Sequence, residues 1–131
     1  MIAERLAGRT IGGVDGTFVV AEWADRGDTS RERPIAPLHL HRSEDEAWYI
    51  LEGRLGFRAG DDELEAGPGG AVLVPAGLSH TYWNAGGGPA RYLLVMGPQT
   101  ARLIEAIHAM DPFDPARLPD LFREHDSELL A

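Results

Sequence analysis

Cysteine is absent from this chain of 131 residues, which excludes disulfides, iron–sulfur clusters, cysteine nucleophiles and thiolate metal sites together. Lysine is absent as well: every basic residue, from Arg5 to Arg123, is arginine. Schiff-base chemistry, a pyridoxal phosphate anchor and a phosphate-loop lysine are therefore ruled out. Long apolar runs are missing too. No stretch approaches the roughly 20 apolar residues of a membrane span, and Met1-Ile2-Ala3-Glu4-Arg5 lacks the apolar centre of a signal peptide. The expectation is a cytoplasmic protein that does not engage a membrane. Positive charge is scarce, 12 Arg plus Lys against 21 Asp plus Glu, for a net charge of −9. A surface that acidic repels phosphate backbones, so nucleic acid is not an expected partner.

What is present is an ordinary globular composition, 44% apolar and 25% charged. The length suits one domain with one core, residues 1–131 throughout. From about Arg9 to Met96 the chain reads as short strands broken by Gly, Pro, Asp and Asn. The expected strands are Thr17 to Trp23, Ala36 to His41, Glu46 to Leu51, Arg54 to Arg58, Glu63 to Glu65, Ala71 to Val74, His80 to Trp83 and Arg91 to Met96. Such spacing predicts an all-β sandwich or barrel rather than a parallel α/β sheet. After Pro98 the pattern turns helical. Leu103, Ile107 and Met110 share one face, and Asp114-Pro115 opens a second helix carrying Leu118, Leu121 and Phe122. Two short helices, about 99–126, are thus expected against a β core of about 9–96.

Chemistry concentrates in the histidines. On a strand, residues i and i+2 point to one face, so His39 and His41 can aim both imidazoles at one point. A carboxylate at the start of a neighbouring antiparallel strand can reach that point after the short loop. His80, on a later strand, follows Pro75-Ala76-Gly77-Leu78-Ser79. Three neutral imidazoles with one carboxylate suit a divalent Fe, Mn, Ni, Cu, Co or Zn ion.

These residues stand in a pattern that resembles the cupin superfamily. Its first motif is G-x5-H-x-H-x3,4-E-x6-G, matched by His39, His41, Glu46 and Gly53, with Arg33 in place of the leading glycine. Its second, G-x5-P-x-G-x2-H-x3-N, is matched at every fixed position by Gly69, Pro75, Gly77, His80 and Asn84. The resemblance implies a double-stranded β-helix, the jelly-roll cupin barrel, in which His39, His41, Glu46 and His80 bind one metal ion. It also favours a homodimer. Glu44 competes for the carboxylate role, but Glu46 alone fits the spacing on both sides, so Glu44 and Asp45 read as solvated loop charges. His108 and His125 read as ordinary satisfied histidines.

Alternation from Glu46 turns Trp48 and Ile50 inward and Tyr49 and Leu51 outward; alternation from His80 turns Tyr82 and Asn84 inward and Trp83 outward. The outward set Tyr49, Leu51 and Trp83 is too apolar for solvent, which predicts a cover from the N-terminal strand, the C-terminal helices or a second subunit. Trp48, Ile50 and Tyr82 are the candidate walls of a substrate pocket. The function so implied is a metal-dependent oxygenase, or dioxygenase, acting on a small aromatic or enolic molecule, with Glu46 as candidate base and Tyr82 as hydrogen-bond donor to a developing anion. The layout is similar to small quercetin-dioxygenase-like cupins. The alternatives are a cyclase, isomerase or lyase using the ion as Lewis acid, and a non-catalytic small-molecule-binding cupin.

Overall fold

The computed structural model describes residues 6–13 and 15–130. Strands β1 Thr10–Ile11, β2 Val19–Asp25, β3 Ala36–His41, β4 Glu46–Glu52, β5 Leu55–Ala59, β6 Asp62–Ala66, β7 Ala71–Val74, β8 His80–Asn84 and β9 Ala90–Met96 come first. Helix α1 Pro98–His108, a 3-10 turn Pro115–Arg117, helix α2 Leu118–Glu124 and strand β10 Ser127–Leu129 follow. The expected strands form with their ends displaced by no more than two residues. Asp114 caps the 3-10 turn, its side chain accepting from the Ala116 amide.

The strands make two five-stranded antiparallel sheets, ordered β1-β2-β9-β4-β7 and β10-β3-β8-β5-β6. This is the double-stranded β-helix. Alternation places one residue in two between the sheets, where Val19, Ala21, Ile50, Leu94 and Met96 of the first meet Leu55, Phe57 and Tyr82 of the second. Trp48 packs edge-on to Phe57 and Tyr82, with ring centroids 5.2 and 5.3 Å away, while Phe57 and Tyr82 stack. Each such large side chain contributes roughly 1.5–3 kcal/mol through its removal from water.

Two sequence expectations change here. β3 and β4 are not hydrogen-bonded neighbours: the loop between them carries the chain from the second sheet to the first, so Glu46 reaches His41 across the barrel. The apolar outward set also divides. Tyr49 and Leu51 lie on the outside of the first sheet, whereas Trp83 belongs to the second. Trp83 is buried against Gly56, where a Cβ would come within 2.4 Å of the indole, and Arg31 lies over its ring at 5.3 Å. Only glycine permits that approach. The helices contribute to the walls of a cavity inside the barrel.

Candidate metal centre

Local chain chemistry aims each donor. Pro37 lacks an N–H, and the β3–β8 register slips between Ala36 and His39, a bulge that accommodates the proline. The register resumes with His39 directly opposite His80. The turn before β8 needs a positive φ, met by Gly77 at +84°, whose amide donates to the His41 carbonyl at 2.6 Å. Arg33, at the glycine position of the first motif, does not take a positive φ, so an arginine there costs no backbone strain.

His39, His41, Glu46 and His80 are all buried, and their donor atoms lie within 4.8 Å of one another. His39 Nε2 is 3.2 Å from His41 Nε2, and Glu46 Oε1 is 3.2 Å from His41 Nε2 and 3.0 Å from His80 Nε2. The outer ring nitrogens settle the tautomers. His39 Nδ1 donates to the Pro37 carbonyl and His80 Nδ1 to the Leu78 carbonyl, since a carbonyl only accepts. His41 Nδ1 meets Ser127 Oγ at 2.8 Å, and that hydroxyl spends its proton on the His125 carbonyl. All three neutral rings therefore turn an Nε2 lone pair toward an anionic carboxylate oxygen. Four acceptors facing one point repel each other unless a cation lies among them; the donor set fits a divalent transition metal.

Protonation supports the same state. Burial, with His80 and His41 close by, lowers His39 to about 4, keeping it neutral at pH 7. Burial alone would raise Glu46, but the nearness of His41 and His80 outweighs it and holds the carboxyl at about 2, so it is ionised at pH 7.

Above the donors lies a cavity of about 390 Å³. Its apolar walls include Trp23, Ile35, Leu94, Leu103, Ile107 and Phe122, and Tyr82 and Tyr92 join their hydroxyls at 3.0 Å beside it. Of the expected pocket residues, Tyr82 lines this space; Trp48 and Ile50 do not, being packed within the core between the sheets. Sequence reasoning missed Tyr92, the helical walls and His108, which lines the cavity beside Trp23. Nor is Glu44 a solvated loop charge. It is half-buried and caps α1, accepting from the Gln99 and Thr100 amides and the Thr100 hydroxyl. Asp45, exposed, accepts from the Ala76 amide. Asn84 is turned away from the donors into a polar knot with Asp25, Gly86 and Gly88.

Residues 32–96 match the Cupin domain family. The protein TT1209 from Thermus thermophilus is 30% identical, with a TM-score of 0.53 over 63% of this chain and 73% of its own. The chain belongs to the cupin family. This cupin is also similar to a sugar phosphate isomerase of the cupin superfamily from Silicibacter pomeroyi, 27% identical with a TM-score of 0.52 over 63% of this chain. It spans about half of that protein, 51%. KdgF from Halomonas sp., 15% identical with a TM-score of 0.56 over 69% of this chain and 76% of its own, shares the fold. No curated protein sequence matches this cupin.

Proposed function

We propose that this cupin is a metal-dependent oxygenase acting on a small aromatic or enolic molecule, with His39, His41, Glu46 and His80 holding one divalent ion. The observation that carries the proposal is the donor cluster opening through His39, His41 and Glu46 onto a largely apolar cavity. The bound ion would supply redox or Lewis-acid chemistry. The protein supplies the rest. Trp23, Ile35, Leu103 and Phe122 fit a flat apolar body and exclude water from it. Tyr82 and Tyr92 share one hydrogen bond, which uses one of their two protons and leaves the other for a ligand oxygen. Burial, reinforced by Tyr92, pushes Tyr82 well above 10, and burial pushes Tyr92 to about 12, so both stay protonated at neutral pH. Glu46 is ionised and is the candidate base.

A second reading, an isomerase or lyase with the ion as Lewis acid, is favoured by the likeness to the sugar phosphate isomerase. Against sugar phosphates stands the cavity wall, which includes no arginine to meet a phosphate. Among the described residues no helix is long and apolar enough to cross a membrane, and we place the protein in the cytoplasm. We also propose a homodimer formed through the first sheet. Register aligns Ile11, Val20, Val95, Ala47 and Leu73 in one apolar row across all five strands, with Leu73 66% exposed.

Metal analysis of anaerobically purified protein, paired with oxygen uptake over flavonols, diketones and catechols, tests the function. Uptake with one class, abolished by His80→Ala and kept by His125→Ala, is the expected result. Metal binding without uptake, but with anaerobic turnover of a sugar phosphate, moves the assignment to the second reading; binding without any turnover leaves a binding protein.

A further inference from the structure

Of the three ring nitrogens facing away from the site, two are held by carbonyls only two residues earlier in the chain. The third, His41 Nδ1, depends on a residue 86 positions away. That residue is Ser127, 1% exposed, on β10 and outside the stretch that matches the family. Its placement is over-determined. Helix α2 ends at His125, and Asp126 takes a left-handed φ of 56° that turns the chain back along β3. The Asp126 carbonyl accepts from the Arg42 amide at 2.9 Å, and its carboxylate accepts from the Ser43 hydroxyl. Register then sets Ser127 opposite His41 and Leu129 opposite His39, and the Leu130 amide closes the strand on the Leu38 carbonyl. A slip of one residue would bring Glu128 opposite His41 instead.

We propose that Ser127 is the positioning residue for His41, and that the C-terminal strand is thereby a working part of the metal centre. The hydroxyl has one proton, committed to the His125 carbonyl at 3.0 Å. Toward His41 it can only accept, which fixes the imidazole proton on Nδ1 and leaves Nε2 bare toward Glu46. Without that acceptor the buried ring loses its orientation and its preference between tautomers. Outer partners of metal-bound histidines commonly govern affinity about 10–100-fold. The inference rests on the reading of the four donors as a metal site.

The test is titration of the metal-free protein with Co2+, followed by its visible absorption, in wild type, Ser127→Ala, Ser127→Thr and Glu128→Ala. Thermal melts of the metal-free proteins accompany it. Ser127→Ala should weaken Co2+ binding about 10–100-fold and alter the spectrum. Ser127→Thr, which keeps the hydroxyl, should restore both. Glu128→Ala removes an exposed ion pair with Arg42 on the same strand and should leave binding unchanged. Equal affinity in Ser127→Ala and wild type overturns the proposal, as does an equal loss in Ser127→Ala and Glu128→Ala, which would make β10 mere scaffold. A wild type that binds no Co2+ removes the metal reading itself, and the proposal with it.

Discussion

Replacing Glu44 with alanine separates a helix cap from a solvated charge. As a loop charge in a chain of net charge −9, its loss would change stability by less than about 0.5 kcal/mol. The structure gives it three bonds at the start of α1: the Thr100 amide at 2.7 Å, the Thr100 hydroxyl at 2.8 Å and the Gln99 amide at 3.0 Å. Thr100 is 1% exposed, so water cannot readily replace the lost acceptor. A cap contributes about 1 kcal/mol, and a negative charge at a helix N-terminus adds roughly 0.3–1 kcal/mol. With a buried hydroxyl also left unpaired, the expected loss is about 2 kcal/mol for Glu44→Ala and about half that for Glu44→Gln, which still accepts but carries no charge. At about 4 °C per kcal/mol for a domain of this size, Glu44→Ala should lower Tm by about 8 °C. Urea unfolding of the metal-free protein at pH 7 measures the loss, and hydrogen exchange at Gln99 and Thr100 localises it. A change under about 0.5 kcal/mol with an unaltered m-value, or unchanged exchange at those two amides, would refute the capping argument. Gly97→Ala tests it from the other side, since its Cβ would lie 2.2 Å from the Glu44 carboxyl carbon.

Acid should unfold the metal-free protein early. His39 stays neutral down to about 4 in the fold against 6.5 ordinarily, so its contribution is complete above pH 6.5 and is lost as pH falls to 4. That shift corresponds to about 3 kcal/mol. Glu46, held at about 2 against 4.5, acts in the same direction between pH 4.5 and 2. Urea midpoints that do not fall between pH 7 and 5 in the presence of chelator would contradict the first, and midpoints that do not fall further between pH 4.5 and 3 would contradict the second. Trp48→Ala should cost about 3–5 kcal/mol of stability as a core truncation, the buried indole packing edge-on to Phe57 and Tyr82; chemical denaturation measures it. If the first sheet is the dimer face, Leu73→Arg or Tyr49→Arg should yield monomers by light scattering, while a wild-type monomer at micromolar concentration removes that proposal.

Alternation made most strands legible, because inward residues such as Trp48, Ile50, Tyr92 and Leu94 are apolar wherever the sheets face each other. Three donors were also legible as local features: His39 and His41 two apart on a strand, and His80 behind a proline-glycine turn. What could not be read was the pairing of distant strands. His41 and Glu46 are five residues apart, yet they stand on opposite sheets, and alternation carries no information about which sheet a strand joins. Pocket walls failed for a related reason: an inward side chain faces core or cavity depending on its depth in the barrel. Tyr82 reaches the cavity and Trp48 does not. Ser127 and Glu44 left still less trace. A three-residue strand has almost no periodicity, and a carboxylate capping a helix more than 50 residues away looks the same in sequence as one in water.

The pairing of β10 with β3 fixes an order of assembly during synthesis. The ribosome makes His41 86 residues before Ser127, and at about 5–20 residues per second the interval is roughly 4–17 s. From the synthesis of His80 onward the growing chain carries all four donors, while the outer edge of β3 still lacks its partner and the His41 ring is free to turn. A metal ion met by the nascent chain encounters a looser, less selective cage than the finished one. The strand that orients His41 also covers the open sheet edge, so aggregation of the unfinished chain and capture of the wrong ion end with the same event.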